Sequence, residues 1–93
     1  MKIHRLKTWP NVFEATIAGL KTWEFRKADR DFEVGDHLEL VEWNPGLDGD
    51  GELDASQRGY SGRVALVKVT YLMEGGDYGI PSDYVVMSTE VIG

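Results

Sequence analysis

Residues 63–73, RVALVKVTYLM, place the strongest condition on the fold. Val64, Leu66, Val67, Val69, Tyr71 and Leu72 are β-branched or bulky, types that suit a pleated strand better than a helix. Successive side chains of a strand point to opposite faces, and here apolar residues fall in both sets. Such a strand is expected to be buried on both sides, as in the middle of a curled sheet or barrel. It needs strand partners, which the chain must supply within 93 residues, room for a single core and a single domain over 1–93.

The partners are legible. Residues 3–7 alternate Ile3, Arg5 and Lys7 with His4 and Leu6, a mixed pattern that suits an edge strand or a pocket wall. Pro10 fits the first turn of a helix, where its missing N–H costs nothing. Val12, Phe13, Ile17 and Leu20 then follow helical spacing, with Glu14 and Thr16 outward, and Gly19 caps a helix over 10–18. Residues 21–27 alternate as a strand. Val34-Gly35-Asp36 reads as a tight turn into a strand over 37–43, which Asn44-Pro45-Gly46 ends. A last strand covers 84–92. One short helix, or two, with about five strands predicts an α+β domain whose sheet curls into a small barrel.

Between the third and fourth strands lies an acidic, glycine-rich loop, 46–62, with five glycines and the run Asp48, Asp50, Glu52 and Asp54. A calcium loop beginning at Asp48 would need Gly sixth and Glu twelfth, but those places hold Leu53 and Gly59. The loop is therefore read as an acidic hairpin connection. The glycine loop 74–79 lacks the Lys-Ser/Thr of a phosphate-binding P-loop and opens no helix, which excludes nucleotide triphosphate binding of that kind. With two histidines and no cysteine, a zinc site lacks ligands; no metal and no cofactor are expected. No segment has the length of a signal peptide core or a membrane span, so a soluble, cytoplasmic protein with no membrane partner is expected.

Charge is unevenly placed. The net value is -6, yet residues 2–30 carry seven Lys and Arg against three carboxylates, +4 against -10 for the remainder. An acidic body repels a long duplex, so long DNA is not an expected partner. A basic N-terminal third on that body suits a compact anionic ligand, or else the acidic loops only maintain solubility. The basic character peaks in GLKTWEFRKADRD, residues 19–31. On a strand, Trp23 and Phe25 are expected to anchor in the core while Thr22, Glu24 and Arg26 share the other face. Lys21 and Arg26 are candidate phosphate or base ligands, Lys as a point charge and Arg as a planar fork. Glu24 either accepts from an exocyclic amine or only pairs with Arg26. His4 and Lys7 belong to the strand placed beside this one, with His4 a ligand contact or a satisfied structural histidine. Trp9, Trp23 and Tyr84 could stack on a base, with Trp9 at the helix mouth the best placed. Arg30 is a rim contact or a solvated turn residue.

The run Gly19-Leu20-Lys21-Thr22-Trp23-Glu24-Phe25-Arg26 resembles the G-x-K-x-x-E-x-R motif of ASCH domains, which have a PUA-like β-barrel fold. His4-Arg5-Leu6-Lys7, Asp29-Arg30-Asp31-Phe32, Val34-Gly35-Asp36, Gly75-Gly76, Tyr78-Gly79 and Tyr84-Val85-Val86 are similar, in order, to a small ASCH-like family of bacteria and their phages. The resemblance spans nearly the whole chain outside 46–62. It implies binding of RNA, a nucleotide or a modified nucleoside in a cleft beside the first helix. Some ASCH relatives are similar to amidohydrolases that deacylate acetylated cytidine with a Lys, a Thr nucleophile and a Glu. Lys21 matches that lysine, Glu24 stands in place of the threonine, and no residue matches the glutamate. A carboxylate does not simply replace a hydroxyl nucleophile.

Three functions follow as expectations. The first is an RNA- or nucleotide-binding domain using Lys21, Glu24, Arg26, Arg30, His4, Lys7 and Trp9. The alternative is an amidohydrolase on an acetylated cytidine, with Lys21 and Glu24 as catalytic candidates. The second alternative is a protein-interaction module using the acidic loop.

Overall fold

The computed structural model describes residues 1–45 and 59–93. Its elements run β1 (Ile3–Thr8), α1 (Pro10–Ile17), β2 (Trp23–Lys27), β3 (His37–Trp43), β4 (Tyr60–Glu74) and β5 (Tyr84–Val91). The five strands form one sheet in the order β1-β3-β4-β5-β2. β1 lies parallel to β3 and every other neighbouring pair is antiparallel. The sheet curls into a half-barrel whose two edges, β1 and β2, are the two strands nearest the N-terminus. The expected α+β class, strand number and short helix all agree with this.

Burial of β4 differs from expectation. Ala65, Val67 and Val69 are buried on the inner face, but Val64 and Tyr71 are exposed. Among the described residues the helix is the one element beside the sheet, and it packs Phe13 onto the inner face, so no described layer covers the outer one. A register shift between Val69 and Tyr71 re-aims the strand near its end. The core is the inner face: Leu6, Leu38, Leu40, Ala65, Val67, Val69, Val85 and Met87, closed by Phe13 from α1 and Phe32 from the β2–β3 connection. β4 also starts at Tyr60, so residues 60–62 of the expected loop are strand. The acidic run Asp48 to Asp54 lies outside the described residues.

Helix α1 begins with Pro10 at its first position and is capped at its C-terminus by Ala18, after which Gly19 takes φ +76°. Gly19 N donates to Thr16 O at 3.0 Å and Leu20 N to Ala15 O at 2.9 Å, which satisfies the last carbonyls. The inward face is not the one the apolar spacing predicts. Phe13 and Thr16 are buried, while Ile17 and Leu20 are exposed. Thr16 tolerates burial because its hydroxyl donates to the Val12 carbonyl at 3.0 Å.

The starts of β1 and β3 are joined through Asp36, a buried carboxylate in the turn before β3. It accepts from Lys2 N at 3.0 Å, Glu33 N at 3.0 Å and His4 Nε2 at 2.8 Å. Burial works to raise its pKa, but these donors and the Lys2 charge more than offset it, and the carboxyl is pushed down from 3.8 to about 2.

Candidate ligand cleft at the strand seam

The geometry of β2 follows from its register on β5. Glu24 pairs with Met87 and Arg26 with Val85, and both partners are core residues. The even positions of β2 must therefore face the interior. Trp23 and Phe25 consequently face out, 50% and 42% exposed, which reverses the expectation that they anchor in the core. The parity is fixed by the neighbouring strand rather than by the hydrophobicity of the two aromatics.

Facing inward, Glu24 is 2% exposed and requires charge partners. Both oxygens have them: Lys21 Nζ pairs with Oε2, and Arg26 Nε donates to Oε1 at 2.9 Å. Lys21 Nζ also donates to the Trp23 carbonyl at 2.6 Å and sits 4.6 Å from the Trp23 ring centroid. Arg26 reaches on across the barrel opening. Its Nη2 donates to Lys7 O at 3.0 Å and to Thr8 Oγ1 at 3.3 Å, on the opposite edge strand. Arg30 makes a second bridge, with Nη1 donating to Arg5 O at 2.9 Å. Two guanidinium groups thus span the seam between β1 and β2. Arg26 Nη1 makes no hydrogen bond among the described residues, so one arm of its fork is available to a ligand.

A cleft of about 300 Å³ opens over this cluster, lined by Lys7, Thr8, Trp9, Lys21, Glu24 and Arg26, with Val12, Trp23 and Phe25. Trp9, just before the helix, is 57% exposed. Five of the seven sequence-predicted residues, Lys7, Trp9, Lys21, Glu24 and Arg26, therefore meet at one place. Its formal charge is positive, three cations to one carboxylate, and three exposed aromatic residues line it, Trp23 and Phe25 from the outward side of β2. Such a combination can hold an anionic group on the guanidinium and a planar group on a ring.

Two predicted residues are placed elsewhere. Arg30 lines the adjoining cleft rather than this one. His4 lines no described cleft: its ring is buried, bonded to Asp36 and packed 4.6 Å from the Phe32 ring. Of the two roles expected for it, ligand contact or satisfied structural histidine, its placement is the structural one, because β1 alternation turns the even positions into the core. Tyr84 is partly buried, with its ring 4.9 Å from Phe25. Thr8 and Val12 line the cleft and carried no functional expectation. For Thr8 the signal existed, since it continues the inward parity of His4 and Leu6.

With this fold and cleft, the chain belongs to the family described as "Domain of unknown function (DUF3850)", whose model matches residues 3–89. It is similar to the "Uncharacterized 12.9 kDa protein in GpA 3'region" of Escherichia phage P2, with 33% identity over 86 residues. That alignment covers 92% of this chain and 66% of the phage protein, so the chain spans just under two thirds of that relative's length. Among the described residues no helix is long and apolar enough to cross a membrane.

Proposed function

We propose that the chain is an ASCH-like, PUA-like domain that binds RNA or a nucleotide-sized anionic ligand in the Lys21–Glu24–Arg26 cleft. The supporting observation is the setting of Arg26. A buried carboxylate and the opposite strand hold its guanidinium in place, one arm of the fork remains open, and Trp9, Trp23 and Phe25 line the same cleft. The open Nη1 suits a charge-assisted contact with one phosphate group, and a ring beside it suits stacking of a base. In this reading Glu24 is a positioning residue: both its oxygens are already taken by cations.

The amide-hydrolysis alternative is less well supported. The hydroxyl in the cleft, Thr8 Oγ1, is buried and already accepts from Arg26, and Glu24 has no oxygen left to act as base. The acidic run on which the loop alternative rests lies outside the described residues.

The test uses the intrinsic fluorescence of Trp9 and Trp23. Titration with the four nucleoside 5′-monophosphates and with acetylcytidine is expected to quench emission saturably, and Arg26→Ala and Lys21→Ala to weaken the response at least tenfold. Absence of quenching by all of these and by short RNA, with the protein folded, rules out the binding reading. Release of acetate from acetylcytidine, lost in Lys21→Ala, would establish the hydrolase instead.

A further inference from the structure

The larger opening lies on the other side of Arg26. It is a cleft of about 430 Å³ along the β1/β2 seam, and its charged lining is Arg5, Lys7, Arg26, Lys27, Arg30 and Asp29. Lys7 and Arg26 line this cleft and the aromatic one alike, so the two adjoin across the Arg26–Lys7 bridge. Five cations against one carboxylate gather here in a chain whose net charge is -6.

Arg26 is paired with Glu24, but the other four cations have weak carboxylate partners or none among the described residues. The Lys27 side chain has no hydrogen bond or ion pair among the described residues. Lys7 has no carboxylate partner there either, and its ammonium lies over aromatic rings, 4.5 Å from the Trp43 centroid and 5.8 Å from that of Tyr60. Arg5 meets Glu39 only at 3.7 Å, and Arg30 meets Asp29 only at 4.0 Å. A single phosphate needs one or two of these groups. The seam offers several in succession, leading away from the aromatic cleft.

We infer that the two clefts form one track, and that its ligand is a single-stranded oligonucleotide of several residues rather than a lone nucleotide. A base stacks among Trp9, Trp23 and Phe25, Arg26 holds the adjoining phosphate, and Lys7, Arg5, Lys27 and Arg30 take successive phosphates along the seam. Stacking requires an unpaired base, and the acidic remainder of the chain repels a long duplex, which together select a short single strand. The inference rests on the nucleotide-binding reading above and extends it.

The test compares uridine 5′-monophosphate with oligouridylates of two, four and eight residues, with oligothymidylates of the same lengths, and with an eight-base-pair RNA duplex. Tryptophan quenching is read at 50 and 200 mM salt. Affinity is expected to rise at least tenfold from monomer to tetramer and then level off. The salt dependence should steepen by a slope of about -0.7 for each phosphate engaged. Arg5→Gln with Lys27→Gln, which leaves both seam bridges intact, is expected to lower tetramer affinity about tenfold and leave the monophosphate unchanged. Preference for one series assigns the sugar, and either result supports the track. Equal affinity for monomer and tetramer overturns the track but leaves the nucleotide reading standing. Equal binding of the duplex overturns the single-strand selection. Binding to none of the probes removes the underlying reading, as does tighter binding of an eight-residue polyglutamate.

Discussion

Glu24→Gln is the most informative perturbation, because it changes one charge and almost no volume at the centre of the cluster. The wild-type carboxylate is 2% exposed and holds two cations, one on each oxygen. A carboxamide keeps one acceptor and turns an NH₂ toward the other cation, leaving two positive groups without their shared anion. Removing one partner of a fully buried pair costs about 3–5 kcal/mol. The Lys21 and Arg26 side chains are 14% and 27% exposed, so solvent absorbs part of that loss, and we expect about 2–3 kcal/mol. For a domain of this size that corresponds to a fall in Tm of about 10–20 °C. Urea unfolding followed by far-UV circular dichroism measures the loss directly. Phosphate should restore part of it, because an anion can now take the place of the carboxylate. At a few times its Kd the gain is about 1 kcal/mol, larger than for wild type. A loss below about 0.5 kcal/mol, the range of ordinary surface substitutions, would falsify the assignment of Glu24 as the anchor of the cluster.

Three other consequences can be measured. Asp36 has its pKa lowered from 3.8 to about 2, so its contribution to stability is present above about pH 4 and is lost as pH falls toward 2. The loss is on the order of 2 kcal/mol; Asp36→Asn should be less stable at neutral pH and lack this acid step in urea titrations. In Gly75→Ala the new Cβ would lie 1.8 Å from the Pro81 carbonyl oxygen, so the β4–β5 turn must move, with a loss of about 3 kcal/mol. Gly76→Ala meets no atom within 4 Å and is penalised only through its φ of +106°, by about 1–2 kcal/mol; equal losses at the two positions would contradict the steric account. Trp9→Ala should leave stability within about 0.5 kcal/mol, since its side chain makes no cap hydrogen bond, yet weaken nucleotide binding by about 1–3 kcal/mol. Unchanged affinity in that variant would exclude stacking at the helix mouth.

What could be read from the sequence depended on whether the cause was local. Pro10, Gly19 and the alternation of residues 3–7 and 37–43 are short-range signals, and the elements they predict are present. The orientation of residues 23–27 was not a local matter. Their alternation is equally consistent with either parity, and hydrophobicity favours burying Trp23 and Phe25. Pairing of Glu24 with Met87, more than sixty positions away, decides otherwise, and it can do so because Lys21 and Arg26 satisfy the buried carboxylate. The same limit explains β4. Apolar residues on both faces imply two covering layers, but the one described helix covers a single side. The candidate site fared better because its members come from three adjacent stretches. Lys7 and Trp9 precede the helix, and Lys21 follows it just before β2, so a short helix returns the chain to its own beginning. Arg5, Lys27 and Tyr60 joined the seam only through sheet closure, which no spacing along the chain discloses.

The seam itself connects stability with binding. An edge strand exposes carbonyls that need donors, and a barrel left open between two edges exposes two rows of them. Here the donors come from Arg26 and Arg30, which reach Lys7 O, Thr8 Oγ1 and Arg5 O from β2 and the turn after it. A backbone ladder would have filled the gap and left no cleft. Side-chain bridges close it while keeping a groove, and they line that groove with guanidinium groups whose remaining N–H donors make no hydrogen bond among the described residues. The residues that hold the edges together are thus the ones an anion would meet. An anion bound to Arg26 Nη1 adds to the bonds at Nε and Nη2 rather than replacing them, so binding and closure should reinforce one another. Ligand should then slow amide hydrogen exchange in β1 and β2 more than in β4, the middle strand of the sheet. Uniform protection across all five strands would mean that the seam is no weaker than the rest of the barrel.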